Sequence, residues 1–131
     1  MNKPIIAEIT KLATADPNIE LLWLYGSRAN NSATKNSDYD LAIAFKPPQG
    51  HNLESRLKSE IIALDWAEQL NLNSNLLSVV DINLAPLPLA MSIIDKGILL
   101  YAGNGLRLAR EEHRITSMWE LDHVYHRRQF G

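Results

Sequence analysis

Two apolar runs, Leu21-Leu22-Trp23-Leu24-Tyr25 and Leu41-Ala42-Ile43-Ala44-Phe45, bracket a polar segment that opens on Gly26-Ser27 and closes on Asp38-Tyr39-Asp40. Short apolar runs bounded by turn formers read as buried strands. The glycine-serine pair is therefore expected where one strand ends, and the two aspartates where the next begins. No other feature constrains the fold as much. It asks for a small-residue turn that lets phosphates approach the backbone and for carboxylates that can hold magnesium.

Side chains on a strand alternate between faces, so Asp38 and Asp40 should share one face, roughly 6–7 Å apart at their bases, with Tyr39 on the other. Two carboxylates on one face do not stay ionised together without a cation between them. Mg²⁺ prefers few protein carboxylates and several phosphate oxygens. Two ions about 3.5–4 Å apart would stabilise the attacking and leaving oxygens together. A lone Asp-x-Asp is more often a pair of solvated turn residues. Here the Gly-Ser pair ten residues upstream and the apolar runs on both sides favour the chemical reading.

A third carboxylate is expected from a neighbouring strand, and the run Leu76–Leu84 offers Asp81. An acid in an apolar, β-branched strand is expensive to bury without a partner. The alternative is a carboxylate at an exposed strand end. Asp65 also lies among apolar residues, but its surroundings read as helix, where a solvated position is the simpler account.

Gly26-Ser27, ten residues, then Asp38-Tyr39-Asp40, with Asp81 later, resembles the polymerase-beta-type nucleotidyltransferase superfamily. The likeness spans about residues 5–101. The short chain further resembles the minimal nucleotidyltransferases, or MNT proteins, many of which are antitoxins paired with a HEPN-family toxin ribonuclease. Relatives often carry a glycine three to five residues after the Gly-Ser pair, where this chain has Asn30-Asn31. Asparagine tolerates the left-handed conformation, so the turn is expected to persist. Relatives also often have an aliphatic residue between the aspartates. Tyr39 there implies a different packing partner.

At 131 residues with 46% apolar content, a single compact domain covering 1–131 is expected. Its core would run over about 5–101, with a C-terminal helical extension over about 104–129. The absence of cysteine rules out a disulfide framework and a thiolate metal site. No apolar run is long enough to span a bilayer, and Met1-Asn2-Lys3-Pro4 does not open a signal peptide, so no membrane association and a cytoplasmic location are expected. A formal charge of −2 argues against a chain that grips nucleic acid directly.

The remaining pattern predicts strand–helix alternation, and hence an α/β fold with a mixed sheet flanked by helices. Pro4 to about Ala15 reads as a helix with Ile5, Ile6, Ile9 and Leu12 on one face, followed by a turn at Asp16-Pro17-Asn18. Lys46-Pro47-Pro48-Gln49-Gly50 breaks the chain, and Leu53, Leu57, Ile61 and Leu64 mark an amphipathic helix to about Leu70. After a polar loop at 71–75 and the Asp81 strand, Pro86 and Pro88 open a helix that Gly97 ends, and Ile98–Tyr101 forms a last strand. A turn at Gly103–Gly105 leads into a long charged C-terminal helix.

From Arg107 to Gly131 there are five arginines against four acids, with Trp119, Leu121, Tyr125 and Phe130 among them. This reads either as a helix packed on its own domain or as a partner-binding surface, since aromatics and arginine are favoured at interface centres. The spacing of Arg107 and His113 superficially matches the Arg-x4–6-His motif of HEPN ribonucleases, but the polar residues after the arginine are not reproduced and chance explains it. His51, His123 and His126 lack metal-ligand companions and read as surface or partner-facing positions. Tyr25 reads as strand-end packing and Lys35 as a solvated loop residue. Arg28 either is solvated or reaches a phosphate as a charged donor.

These residues imply MgATP bound with its phosphates on the Gly26-Ser27 turn, metals on Asp38, Asp40 and Asp81, and Arg28 nearby. The open face of so small a domain suggests that a protein supplies the acceptor. The resemblance points the same way: MNT antitoxins transfer AMP to a tyrosine hydroxyl of the cognate HEPN toxin. The alternatives are an antitoxin acting by binding and occlusion, or a nucleotidyltransferase for small acceptors of the aminoglycoside type. The enzymatic reading is expected to require Asp81 beside the other two acids, facing them.

Overall fold

The computed structural model describes residues 3–47 and 52–130. The proline-glycine break at 48–50 and His51 lie outside the described residues, as do the side chains of Tyr125, His126 and Phe130. Helix α1 (Lys3–Ala15) leads into strand β1 (Ile19–Tyr25), which ends in a short 3-10 turn at Gly26–Arg28. Strand β2 (Tyr39–Phe45) and helix α2 (Asn52–Gln69) follow, then strand β3 (Leu77–Asp81), helix α3 (Leu87–Lys96), strand β4 (Ile98–Ala102) and helix α4 (Gly105–Phe130). The elements follow the predicted alternation.

The strands form one sheet in the order β3-β2-β1-β4. β1 is antiparallel to both β2 and β4, whereas β2 and β3 are parallel. The sheet is mixed, as expected. β1 and β2 are central, so both of their faces are buried, and this is why their sequences are almost uninterrupted apolar runs. Leu22, Leu24, Leu41 and Ile43 pack with Ile9 and Ala13 of α1 and Trp66 and Ala67 of α2. Leu21, Trp23, Ala42 and Ala44 pack on the other face with Ala90 and Ile93 of α3 and Ile115 of α4. The sheet is thus sandwiched between two helical layers.

Two elements differ from the sequence expectation. On α2 the predicted stripe is solvent-facing: Leu53 is 66% exposed and Ile61 62%. The helix instead turns Ile62, Ala63, Trp66 and Ala67 to the sheet. The helix carries two competing apolar stripes, and the one containing the tryptophan buries more surface. β3 is also shorter than the run Leu76–Leu84. After Asp81 the chain turns, with the Leu84 and Ala85 amides both donating to the Asp81 carbonyl at 3.0 Å.

α4 is fixed at its start by charge. Asn104 Oδ1 caps the helix by accepting the Arg107 amide at 3.1 Å. The Arg107 guanidinium is buried and bridges the layers, donating to Glu20 Oε1 at 2.9 Å, the Phe45 carbonyl at 2.7 Å and Glu111 Oε1 at 3.0 Å. Glu111 in turn accepts from Arg114 Nη2 at 2.7 Å. Arg107 is therefore an anchor of the fold, in keeping with a chance match to the ribonuclease motif. Removing one member of a buried ionic network leaves its partners desolvated, at a cost of about 3–5 kcal/mol. Arg107→Ala is expected to lower unfolding free energy by about that much in urea titration, whereas Arg110→Ala, on the exposed side of the same turn, should change it little.

Candidate active site

The register of β1 on β2 builds the site. Tyr25, the last residue of β1, is paired with Asp40. The next residue, Gly26, therefore turns directly over the Asp40 carboxylate. Gly26 has φ +75°, a left-handed conformation that glycine adopts without strain. A methyl group at this position would also collide with Asp40 Oδ2. Glycine is required twice over, for its backbone angle and for the space above the carboxylate.

Tyr39 is buried in the core on the α1/α2 side of the sheet, so Asp40 points to the opposite face, as the alternation predicted. Asp38 is exposed at the mouth of the site and Asp40 is half-buried. Burial pushes the Asp40 carboxyl above its ordinary value, and the negative charge of Asp38 adds to this. Burial, helped by Asp40, likewise raises the Tyr25 phenol to about 12. The site thus holds negative charge in a partly desolvated place. A divalent cation would relieve that charge, and Mg²⁺ completes its shell with phosphate and water when protein carboxylates are few. Asp38 and Asp40 fit such an ion.

Asp81 does not join them, which corrects both the three-acid expectation and the condition that the enzymatic reading needs Asp81. In the parallel β2–β3 ladder Asp40 is aligned with Ser78, whereas Asp81 is aligned with Ile43. Three residues of strand amount to about 10 Å, and an odd offset turns the side chain to the other face. Asp81 is 3% exposed, with Oδ1 accepting the Asn83 amide at 2.8 Å and Oδ2 buried without a hydrogen-bond partner. It lines a different cavity of about 210 Å³, beside Ser59 and Glu60 of α2 and Leu89 of α3. No group of three or more His, Cys, Asp or Glu side chains is placed to hold a metal among the described residues.

Arg28 also has a different task from the phosphate contact considered above. Its guanidinium is buried, with Nε and Nη2 donating to the Ser37 carbonyl at 3.1 and 2.7 Å and Nη2 to the Thr34 carbonyl at 3.3 Å. It lies 3.9 Å above the centroid of the Tyr39 ring. Arg28 therefore ties the turn to the far end of the loop and to the residue between the two aspartates. Tyr39 has found its packing partner. Asn31 adopts φ 63°, the left-handed conformation expected of it, and the Ser32 amide closes the loop on the Ser27 carbonyl at 3.1 Å. Lys35 is exposed.

The structure adds residues that the sequence reading missed. β4 pairs with β1 so that Ile98 faces Leu24, which brings the end of α3 against the Gly26 turn. Ser92, Lys96 and Gly97 line a cavity of about 110 Å³ with Tyr25, Gly26 and Asn30. Lys96 is exposed there and is the basic side chain lining this cavity. Knowledge that β4 sits next to β1 would have revealed it; no local motif does.

Residues 7–105 match the family described as polymerase beta, nucleotidyltransferase. Protein adenylyltransferase MntA of Aphanizomenon flos-aquae is 28% identical over 119 residues, covering 86% of this chain and 79% of that protein. A crystal structure of a toxin–antitoxin with AMP-PNP superposes with TM-score 0.68 at 22% identity, covering 98% of this chain and 94% of that one. A tri-AMPylated Shewanella oneidensis HEPN toxin in complex with an MNT antitoxin gives 0.67 at 22% identity, over 98% and 93%.

Asp40→Asn is expected to weaken Mn²⁺ binding in the presence of nucleotide by about tenfold or more, while Asp81→Asn changes it less than about twofold, as read by calorimetry. The Asp81 carboxyl also gives the stability of the fold a pH dependence. Burial raises the Asp81 carboxyl above 3.8, against the opposing pull of the Asn83 amide and Arg107. The folded chain then keeps a proton that the unfolded chain has lost, so stability falls as pH rises through the raised value. Asp81→Asn should flatten that fall in thermal unfolding measured upward from about pH 4. Gly26→Ala should cost about 1–2 kcal/mol of stability from its backbone angle alone, and weaken nucleotide binding as well. The turn over paired carboxylates, set on a mixed sheet between helices and matched over most of its length, makes this chain a member of the polymerase-beta nucleotidyltransferase family.

Proposed function

We propose that this protein is an antitoxin that transfers AMP from ATP to a tyrosine hydroxyl of a partner HEPN toxin. The observation that carries this reading is the Gly26 turn seated on the Asp40 carboxylate, at the mouth of a cavity that Lys96 also lines. Support comes from the relative named a protein adenylyltransferase, and from structural neighbours holding AMP-PNP or an AMPylated toxin.

The backbone amides of the 26–28 turn and the Ser27 hydroxyl receive the outer phosphates, with Lys96 as a charged donor. Asp38 and Asp40 hold Mg²⁺, which when bound neutralises the triphosphate and polarises the α-phosphate. The acceptor hydroxyl oxygen bonds to the α-phosphorus, the bond to the bridging oxygen breaks, pyrophosphate leaves and the hydroxyl proton passes to water. Positioning and charge neutralisation supply most of the acceleration. The partner is met through exposed apolar groups that the domain leaves uncovered, including Met118, Trp119, Leu121 and Val124 on α4.

A second reading, inhibition of the toxin by binding alone, is favoured by one observation. The strand beside Asp40 presents Ser78 where a third carboxylate was expected. The two readings part in one experiment. The purified protein, its toxin and ATP labelled at the α-phosphate should give labelled toxin, with modified tyrosine found by mass spectrometry, and Asp38→Ala with Asp40→Ala should abolish the label. A toxin that is neutralised but never labelled would establish occlusion instead.

A further inference from the structure

The parallel ladder between β2 and β3 determines what can stand next to the aspartates. Tyr39 is aligned with Leu77 and Asp40 with Ser78. Aligned residues on neighbouring strands share a face, and the strands lie about 4.8 Å apart. Leu77 and Val79 enter the core with Tyr39, while Val80 packs on the opposite side. Ser78 therefore stands with Asp40 on the site's face. It is the one β3 side chain both level with Asp40 and on its side. Ser78 is half-buried.

We propose that Ser78 fills the third ligand position of this site, so that a neutral hydroxyl stands where the second of two cations would need a carboxylate. This rests on the nucleotide-transfer reading and deepens it. Affinity for a hard dication follows the number of charged oxygen ligands. With Asp38 and Asp40 alone, the chain holds one ion together with the nucleotide and a second only weakly. Asp81 cannot compensate, being three residues further along β3 and turned to the other face. The outcome is a site that retains nucleotide while its second-metal occupancy, and with it the rate of transfer, follows the free Mg²⁺ concentration.

The test is Mn²⁺ titration of the folded protein saturated with AMP-PNP, read by electron paramagnetic resonance. The wild type should bind one Mn²⁺ tightly and a second at least about tenfold more weakly. Ser78→Asp should tighten the second about tenfold or more, and Ser78→Ala should leave the first unchanged. Two equally tight ions in the wild type, or no tightening in folded Ser78→Asp, would overturn the proposal. The wild type offers an independent check if Ser78→Asp fails to fold. Bound Mn²⁺ should broaden the Ser78 amide resonance far more than that of Asp81, and equal or greater broadening at Asp81 would contradict the assignment. Failure of the wild type to bind AMP-PNP at any Mn²⁺ concentration would instead overturn the nucleotide-transfer reading itself.

Discussion

The pairing of Tyr25 with Asp40 is the contact on which the rest depends. It ends β1 where β2 begins, so the backbone must reverse its course immediately above a carboxylate. Only a residue without a side chain fits there, and Gly26 in a left-handed conformation does so. The chemical character of the site follows: a glycine turn over a partly desolvated carboxylate, with a raised tyrosine phenol beside it. Moving the β1–β2 register by one residue would separate turn and acid and exchange the buried and active faces of β2.

The surrounding fold keeps that register. β1 and β2 are covered on both faces, by α1 and α2 on one side and α3 and α4 on the other. Arg107 then closes the far end of the sheet, linking β1 through Glu20, β2 through the Phe45 carbonyl and α4 through Glu111. At the active end, the equivalent tie is Arg28, which holds the loop between turn and acids to Tyr39. Arg28, one candidate for a phosphate contact, and Arg107, a chance match to a ribonuclease motif, are both spent on architecture.

Much of this was legible because it is written in local pattern. The apolar runs of β1 and β2, the Gly-Ser turn, the Asp-x-Asp alternation and the proline-opened α3 each follow from spacing along a short segment. What was not legible depends on which strands become neighbours. Asp81 looked like a partner for Asp38 and Asp40 because it is an acid in a strand. Parallel pairing instead sets the start of β3 beside the start of β2, and puts Ser78 there. Lys96 was invisible for the same reason, since only the β1–β4 pairing brings it to the Gly26 turn. On α2, periodicity identified a helix and an apolar stripe, but packing chose the stripe that carries Trp66.

In the proposed function, the β1–β2 register, with Gly26 over Asp40, creates the cation and nucleotide site, and Asp81 lies apart from it. Anomalous diffraction from a crystal grown with Mn²⁺ and AMP-PNP tests this most directly. The account predicts a manganese peak bridging Asp38, Asp40 and nucleotide phosphate, facing Ser78, with the triphosphate along the 26–28 turn. A manganese peak at Asp81, or nucleotide bound in the cavity beside Ser59 and Glu60 instead, would contradict it.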